Sequence, residues 1–360
     1  MKLPSGIRNF ARPLVAVVSG LVVGILTTLA TGEKPWHVFM VLVKGAFGTS
    51  YDFGMTLFYT TPLLFTGLSV AFAFRAGLFN IGGEGQLTMG ALAATATGLL
   101  LPNIPWPVAP VLAGVSALFA GGLWGFIAGW LRARRGSHEV ITTIMLNFIA
   151  AGLANWVTLY MFRTTDSQAA ESRALGANYL IHKFAMFQGA PVSTALIVAL
   201  VAAALVWFFF TRTVRGFELK ASGENQMSAS FAGIDGARIK ILAMTVAGAL
   251  AGLVGVSEVL GNSGRFKIDF SPGYGFIGIA VALLGRGNPL GVVASAFLFG
   301  ALQKGTSDLD LETATVTRDL SLILQALVIL SVASDGLWDG IEKRLFARNF
   351  GRRVKKGGAI

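Results

Sequence analysis

Cysteine is absent from the 360 residues, so the chain is not a disulfide-stapled scaffold. Histidine occurs three times, at His37, His138 and His182, far apart in sequence. His138-Glu139 opens like a zinc-protease pattern, but Thr142 stands where the second histidine belongs. Metal chemistry therefore has no support, and no cofactor site is expected in this chain. No Gly-Lys-Ser or Gly-Lys-Thr occurs, so the phosphate-cradling loop of nucleotide hydrolases is missing. Charge is scarce as well. Asp, Glu, Lys and Arg make up 13% of the residues, against about 25% in a soluble protein. With 54% apolar residues there is too little polar surface to cover a water-facing globule. That hydrophobicity also excludes a disordered chain.

What is present is long apolar runs. A transmembrane helix needs about 20 mostly apolar residues. Ten segments meet or approach this: Pro13–Ala30, Leu57–Phe74, Leu78–Leu101, Val108–Leu131, Val140–Phe162, Val192–Thr211, Ile241–Gly261, Gly273–Leu284, Leu290–Gln303 and Leu320–Ser334. The eighth and ninth are short and meet at Gly285-Arg286-Gly287-Asn288-Pro289. The third opens with Gly82-Gly83-Glu84-Gly85, which an uninterrupted helix resists. Trp36–Phe47 is too short to span and reads as an outer-surface segment. Lys2, Arg8 and Arg12 precede the first run as in a signal peptide, but no soluble domain follows.

The expected fold is thus all-α and polytopic, one transmembrane unit over 1–360 with about ten spans. Alternating the spans from an inside N-terminus puts 20 of the 29 Lys and Arg inside and 9 outside. This bias predicts both termini in the cytoplasm. The basic tail from Lys343 to Lys356 then reflects topology and anionic lipid, and nucleic acid is not a partner. The longest inner loop, about 212–239, and the longest outer loop, about 163–190, are too small for an enzyme domain.

Each polar side chain inside a span costs free energy in hydrocarbon. Asn80, Glu84 and Gln86 surround the start of the third span, Asn147 and Asn155 lie in the fifth, and Glu258 lies near the outer end of the seventh. Broken helices are tolerated at membrane depth only where protein or a wet cavity satisfies the backbone. Glu84, flanked by glycines, reads as a translocation-path or gating element, or else as a carboxylate capping exposed amides. Glycines at four-residue spacing (Gly121, Gly125 and Gly129; Gly248 and Gly252; Gly20 and Gly24) let helix backbones approach closely. In the 212–239 loop, Asn225 is a helix N-cap signal and Gly233 a stop signal, so one short projecting helix is expected over Asn225–Ala232. Such a helix suits docking to a cytoplasmic partner.

These residues together resemble the membrane permeases of bacterial ABC importers of the branched-chain amino acid and ribose type, closest to the nucleoside or simple-sugar subgroup. Four stretches carry the resemblance: Gly77–Gln86; Glu139–Asn147; Gly216–Ile234; and Gly273–Phe276 with Ile279–Arg286 and Pro289–Gly291. One departure is Gln226-Met227-Ser228-Ala229, where the family usually has Pro and an Ala-rich turn. The resemblance implies a ten-span fold with internally related halves, in a bacterial inner membrane. It implies a second permease, often non-identical, an external solute-binding protein, and cytoplasmic ATPases that bind ATP and magnesium. Asn80, Glu84, Gln86, Asn147 and Glu258 are then pathway or gate candidates. Gly223, Glu224, Asn225, Ser228, Ala229, Ala232 and Gly233 are candidate ATPase contacts, with small side chains dominating.

Two other classes compete. An ion-coupled secondary transporter also uses broken helices, but ionisable residues are few here and the projecting helix would have no use. An intramembrane enzyme needs a nucleophile–base or metal constellation, and none is evident.

Overall fold

A computed structural model describes residues 5–164 and 169–333. The first four residues, Ser334 and the basic tail lie outside them. Among the described residues the chain is helical, with no strand beyond isolated bridges. In order the helices are α1 (Ser5–Leu26), α2 (Pro35–Phe47), α3 (Ser50–Arg75), α4 (Gly83–Leu100), α5 (Val108–Arg135), α6 (Glu139–Val157), α7 (Ala195–Arg212), α8 (Val214–Glu224), α9 (Gln226–Phe231), α10 (Gly236–Gly252), α11 (Tyr274–Leu284), α12 (Pro289–Gly305), α13 (Leu309–Glu312) and α14 (Leu320–Ala333). π-Helical turns extend α6 through Phe162 and continue the α10 rod through Ser263.

Every one of the ten expected spans falls on a helix. Five helices are long and apolar enough to cross a membrane unaided: α3, α5, α6 with its π turn, α7, and α10 with its own. The 11 residues of α11 rise only about 16 Å, half a bilayer core. The third span is also shorter than expected. Leu78–Gly82 is not helical, and α4 starts at Gly83.

Starts and stops follow local chemistry. The Asp52 amide donates to Thr49 Oγ1 (3.1 Å) at the head of α3. The Leu290 amide donates to Asn288 Oδ1 (3.1 Å) at the head of α12, where Pro289 needs no partner. Asp235 Oδ1 accepts from Ala237 and Arg238 at the head of α10. Those amides, Arg238 foremost, hold the Asp235 carboxyl below its ordinary range. Arg132 and Glu139 pair at 3.0 Å across the α5–α6 turn.

The core is a bundle around α3, which is almost wholly buried. α11 lies parallel to α3: Gly278 touches Thr66, Gly67 touches Val281, and Arg75 Nε donates to Gly287 O (3.2 Å). α12 returns antiparallel, with Gly300 against Thr56 and Thr60. α1 and α14 pack antiparallel, Gly20 on Val328 and Gly24 on Leu324. One face of α2 is buried, Val38, Val41 and Leu42 clustering with Leu302, Leu309 and Leu320. Lys304 is buried there between Asp52 and Asp308, each 3.0 Å away. Past the far end of α4, the described part of the 163–193 segment covers the bundle. Tyr179 donates to Leu101 O (2.6 Å), the Ser172 amide to Phe266 O (2.8 Å), and Arg265 pairs with Glu171.

The antiparallel pair α5 and α10 packs backbone to backbone. A Cβ built on Gly248 would stand 2.2 Å from Gly121 O, and one on Gly125 would stand 2.2 Å from Met244 O. Backbones this close exclude any side chain. Gly114 differs, since its Cβ would meet Val256 at an ordinary 3.5 Å. Gly248→Ala should therefore cost about 1–3 kcal/mol through overpacking, while Gly114→Ala should be neutral or stabilising. Apparent unfolding temperature and monodisperse yield in detergent check the pair. Equal behaviour of the two variants would sink the close-packing account.

Candidate functional site

Two breaks face each other inside the bundle. After α3 the chain runs non-helically from Ala76 to Gly82 and then starts α4. After the α10 rod it runs non-helically from Gly264 to Gly273 and then starts α11. The two helix starts meet, since a Cβ on Gly275 would lie 2.3 Å from the Glu84 amide nitrogen. Each start presents amides with no intrahelical partner, and each carries positive partial charge.

Side chains from the facing elements satisfy these amides. The Gly275 amide donates to Glu84 Oε1 (2.8 Å), and Ser271 Oγ donates to the same atom (3.1 Å). The Tyr274 amide donates to Ser271 Oγ (3.0 Å). On the other start, the Gly85 amide donates to Asn147 Oδ1 (2.8 Å), while Asn147 Nδ2 donates to Ile81 O (3.0 Å). Glu84 of α4 thus caps α11, and Asn147 of α6 caps α4.

Beside this junction lies a cavity of about 120 Å³, lined by Glu84, Thr88, Asn147, Asn155, Asp269 and Ser271 with Ala151, Ala154, Phe266 and Phe270. Asn155 and Asp269 make no side-chain hydrogen bond within the described chain, so both are available to a solute. Asp269 also has a φ of 55°, a costly backbone for a non-glycine residue.

Of the five expected pathway residues, Glu84 and Asn147 line this cavity. Asn80 and Gln86 do not line it. Both are fully buried and bind each other reciprocally, Asn80 Nδ2 to Gln86 Oε1 (2.9 Å) and Gln86 Nε2 to Asn80 Oδ1 (3.1 Å). Asn80 Oδ1 also accepts from the Gly82 amide (3.0 Å). Their polar groups are used up in holding the break. Glu258 is buried in the π turn away from the cavity, accepting from Asn262 (3.2 Å). Ser271 and Asp269 fall between the seventh and eighth expected spans and are not among the expected site residues. The Ser271-Pro272 pair ahead of an apolar run was a helix-start signal, but nothing in it told how deep that start lies.

At the end of the bundle bearing α8 and α9, the cap and stop signals hold. The Ser228 amide donates to Asn225 Oδ1 (3.0 Å), and Gly233 has a φ of 81°. The loop carries two helices, however, where one was expected. Thr213 caps α8, its Oγ1 accepting from the Gly216 amide (3.0 Å). Two expected contact residues are not available to a partner. Ala229 is buried on the inner side of α9. Gly223 packs on the chain following α3: its Cβ would lie 2.2 Å from Arg75 O and 2.9 Å from Gly77 N. Glu224, Asn225, Ser228, Ala232 and Gly233 are exposed. The prominent surface features are instead Met227 and Phe231, one turn apart and 71% and 86% exposed.

Residues 53–333 match the family model for the branched-chain amino acid transport system permease component. The chain is 39% identical over 326 residues to the guanosine ABC transporter permease protein NupP of Bacillus subtilis, covering 89% of this chain and 92% of NupP. It is 37% identical over 305 residues to the nucleoside ABC transporter permease protein NupB of Lactococcus lactis, covering 83% and 84%. It is 33% identical over 331 residues to the glucose ABC transporter permease protein TsgB13 of Haloferax volcanii, covering 89% and 86%. Both bacteria also have a second matching permease, only 26% identical to this chain. Together with the helical bundle and its paired breaks, these matches show that the chain belongs to the branched-chain amino acid transport system permease family, as a multi-pass permease subunit of an ABC transporter and not an enzyme.

Proposed function

We propose that the cavity at the junction of α4 and α11 is this subunit's half of an import pathway for a neutral solute carrying a sugar ring. The observation that carries this reading is that the chain itself satisfies both positive helix starts, α11 by Glu84 and α4 by Asn147. Half-helix starts in transporters commonly receive an anionic substrate group. Here a carboxylate and an amide of the chain occupy them, so no free helix start is left for an anionic cargo. Asn155 and Asp269 offer amide and carboxylate partners for hydroxyls, and Phe270 offers an apolar wall. The relatives' names speak of guanosine, nucleosides and glucose, which share a ring with adjacent hydroxyls.

The rest of the assembly follows from the same reading. The end bearing α8 and α9 faces the cytoplasm of a bacterial inner membrane, as the charge bias predicts. The ends of α1 and α14 that lead to the termini lie at that end too. A cytoplasmic ATPase that binds ATP and magnesium docks on α9, with Met227 and Phe231 as anchors. Motion there reaches the cavity through Gly223, Gly77 and the 76–82 segment. A non-identical second permease completes the pathway, matching the paired permeases of unequal similarity in the two bacteria. An external binding protein delivers cargo. Family membership sets aside the ion-coupled alternative.

Two tests address the cavity and the docking helix. Asp269→Ala and Asn155→Ala should lower uptake of labelled nucleoside or hexose about tenfold at unchanged folded yield, since each loses a solute contact and no internal one. Glu84→Ala should lower folded yield before uptake, because it leaves the Gly275 amide unpaired; Glu84→Gln keeps an acceptor and should preserve yield. Wild-type uptake by all four proteins would remove the cavity from the pathway. On the docking side, Phe231→Asp should cut ATPase co-purification about tenfold or more with the membrane domain intact. Full retention would place the ATPase contact elsewhere.

A further inference from the structure

A groove of about 490 Å³ runs down one flank of the bundle from the end where α5 and α7 begin. It shares no residue with the cavity beside Glu84. Val111, Val115 and Leu118 form one wall and Val198, Val201 and Leu205 the other, each set at helical spacing and exposed. Leu253 and Val256 of the α10 rod form a buried floor. Gly114 deepens it, since no side chain stands between α5 and Val256 there.

The dimensions restrict what fills it. From Ala195 to Leu205 the α7 wall rises about 15 Å, half of a bilayer's hydrocarbon core. The groove thus reaches from a membrane surface to about the midplane, the depth of one leaflet's acyl chain. Left empty, it would forfeit packing contacts along all three sides, and walls this apolar do not hold water. A helix 10 Å across and 15 Å long takes on the order of 1,200 Å³, more than twice this volume. An extended chain fits where a helix does not.

The mouth carries the second observation. His182 and Thr194 line it on the α7 side, tied by the Thr194 amide donating to His182 O (3.0 Å). The Ile181 amide donates to Leu260 O (3.2 Å) and anchors the same strip to the rod. Trp106 stands on the α5 side, 64% exposed. Its indole N–H and the Thr194 hydroxyl make no hydrogen bond within the described chain. Lys183 follows His182 and is exposed; its ammonium donates to Asn262 O (3.2 Å) and pairs with no carboxylate among the described residues. Donors and a positive charge therefore ring the open end of an apolar slot. Tryptophan is enriched at headgroup level in membranes.

We propose that this groove is a resident phospholipid site. One acyl chain lies between α5 and α7 on the α10 floor, and the phosphodiester sits at the mouth beside Trp106, His182 and Thr194. Lipid elsewhere on the surface touches protein on one side, whereas this chain is held on three and backs the α10 rod where its π turn begins.

The test uses the complete transporter, extracted in mild detergent and weighed by native mass spectrometry. Wild type should keep a phospholipid that Val111→Trp and Val201→Trp lose. Displacing even two methylenes of the chain should lower occupancy about tenfold. Phe148→Trp, at an exposed position on α6, should keep it. His182→Glu sets a negative charge at the mouth and should lower retention of phosphatidylglycerol about fivefold. In parallel, wild-type transporter in phosphatidylcholine nanodiscs receives a trace of phosphatidylglycerol with a diazirine midway along one chain. Its adducts should concentrate on residues 108–118 and 194–205. Equal lipid retention by wild type and both groove-filling variants overturns the site, as do adducts spread evenly over α5, α6 and α7. Retention unchanged in His182→Glu overturns the headgroup placement. If the filled variants do not fold, the nanodisc adducts alone decide.

Discussion

The structure depends on how two helix starts are kept inside an apolar bundle. Each leaves amides that hydrocarbon cannot satisfy, and each adds positive charge. Glu84 resolves one start and Asn147 the other, each from a different element. The caps therefore tie α4, α6 and α11 together at one point. Gly83 and Gly275 allow it, because any side chain there would strike the facing backbone. The reciprocal Asn80–Gln86 pair then fixes the turn that leads into α4.

The surrounding helices act as a frame for that point. α3 meets α11 along its C-terminal half and α12 between Thr56 and Gly67. The α5–α10 glycine contact fixes the rod from which the 264–273 segment descends. The 169–193 region pins that segment from outside through Phe266 and Arg265. At the other end, Gly223 lies against the backbone at Arg75 and Gly77. The α8–α9 unit is thus in direct contact with the chain leading to Glu84. Polar groups are sparse, and the amides and carboxylate at the two breaks hold backbone in place. Asn155 and Asp269, which do not, are gathered on one cavity.

The sequence alone determined the class and the helices. Apolar runs of fixed length leave a chain no alternative in a bilayer, since each backbone group must bond within its own helix. The cap at Asn225 and the stop at Gly233 were legible because they act over three or four residues. Close packing at Gly121, Gly125, Gly248 and Gly252 was legible from their spacing, though not which helix each would meet. Glu84 stood out because a carboxylate among glycines has few uses at membrane depth.

Tertiary structure decided the rest. Whether Glu84 caps its own helix or another one depends on Gly275, nearly two hundred residues away. Asn80 and Gln86 are each other's hydrogen-bond partners, which only the fold of the 76–82 turn decides. Ser271 and Asp269 drew no notice in the sequence because a local pattern carries no depth. Ala229 looked like a contact residue because helical phase alone does not say which face of α9 turns inward. In each case the deciding quantity is a long-range contact, and a local pattern of residue types carries no information about which distant backbone arrives beside it.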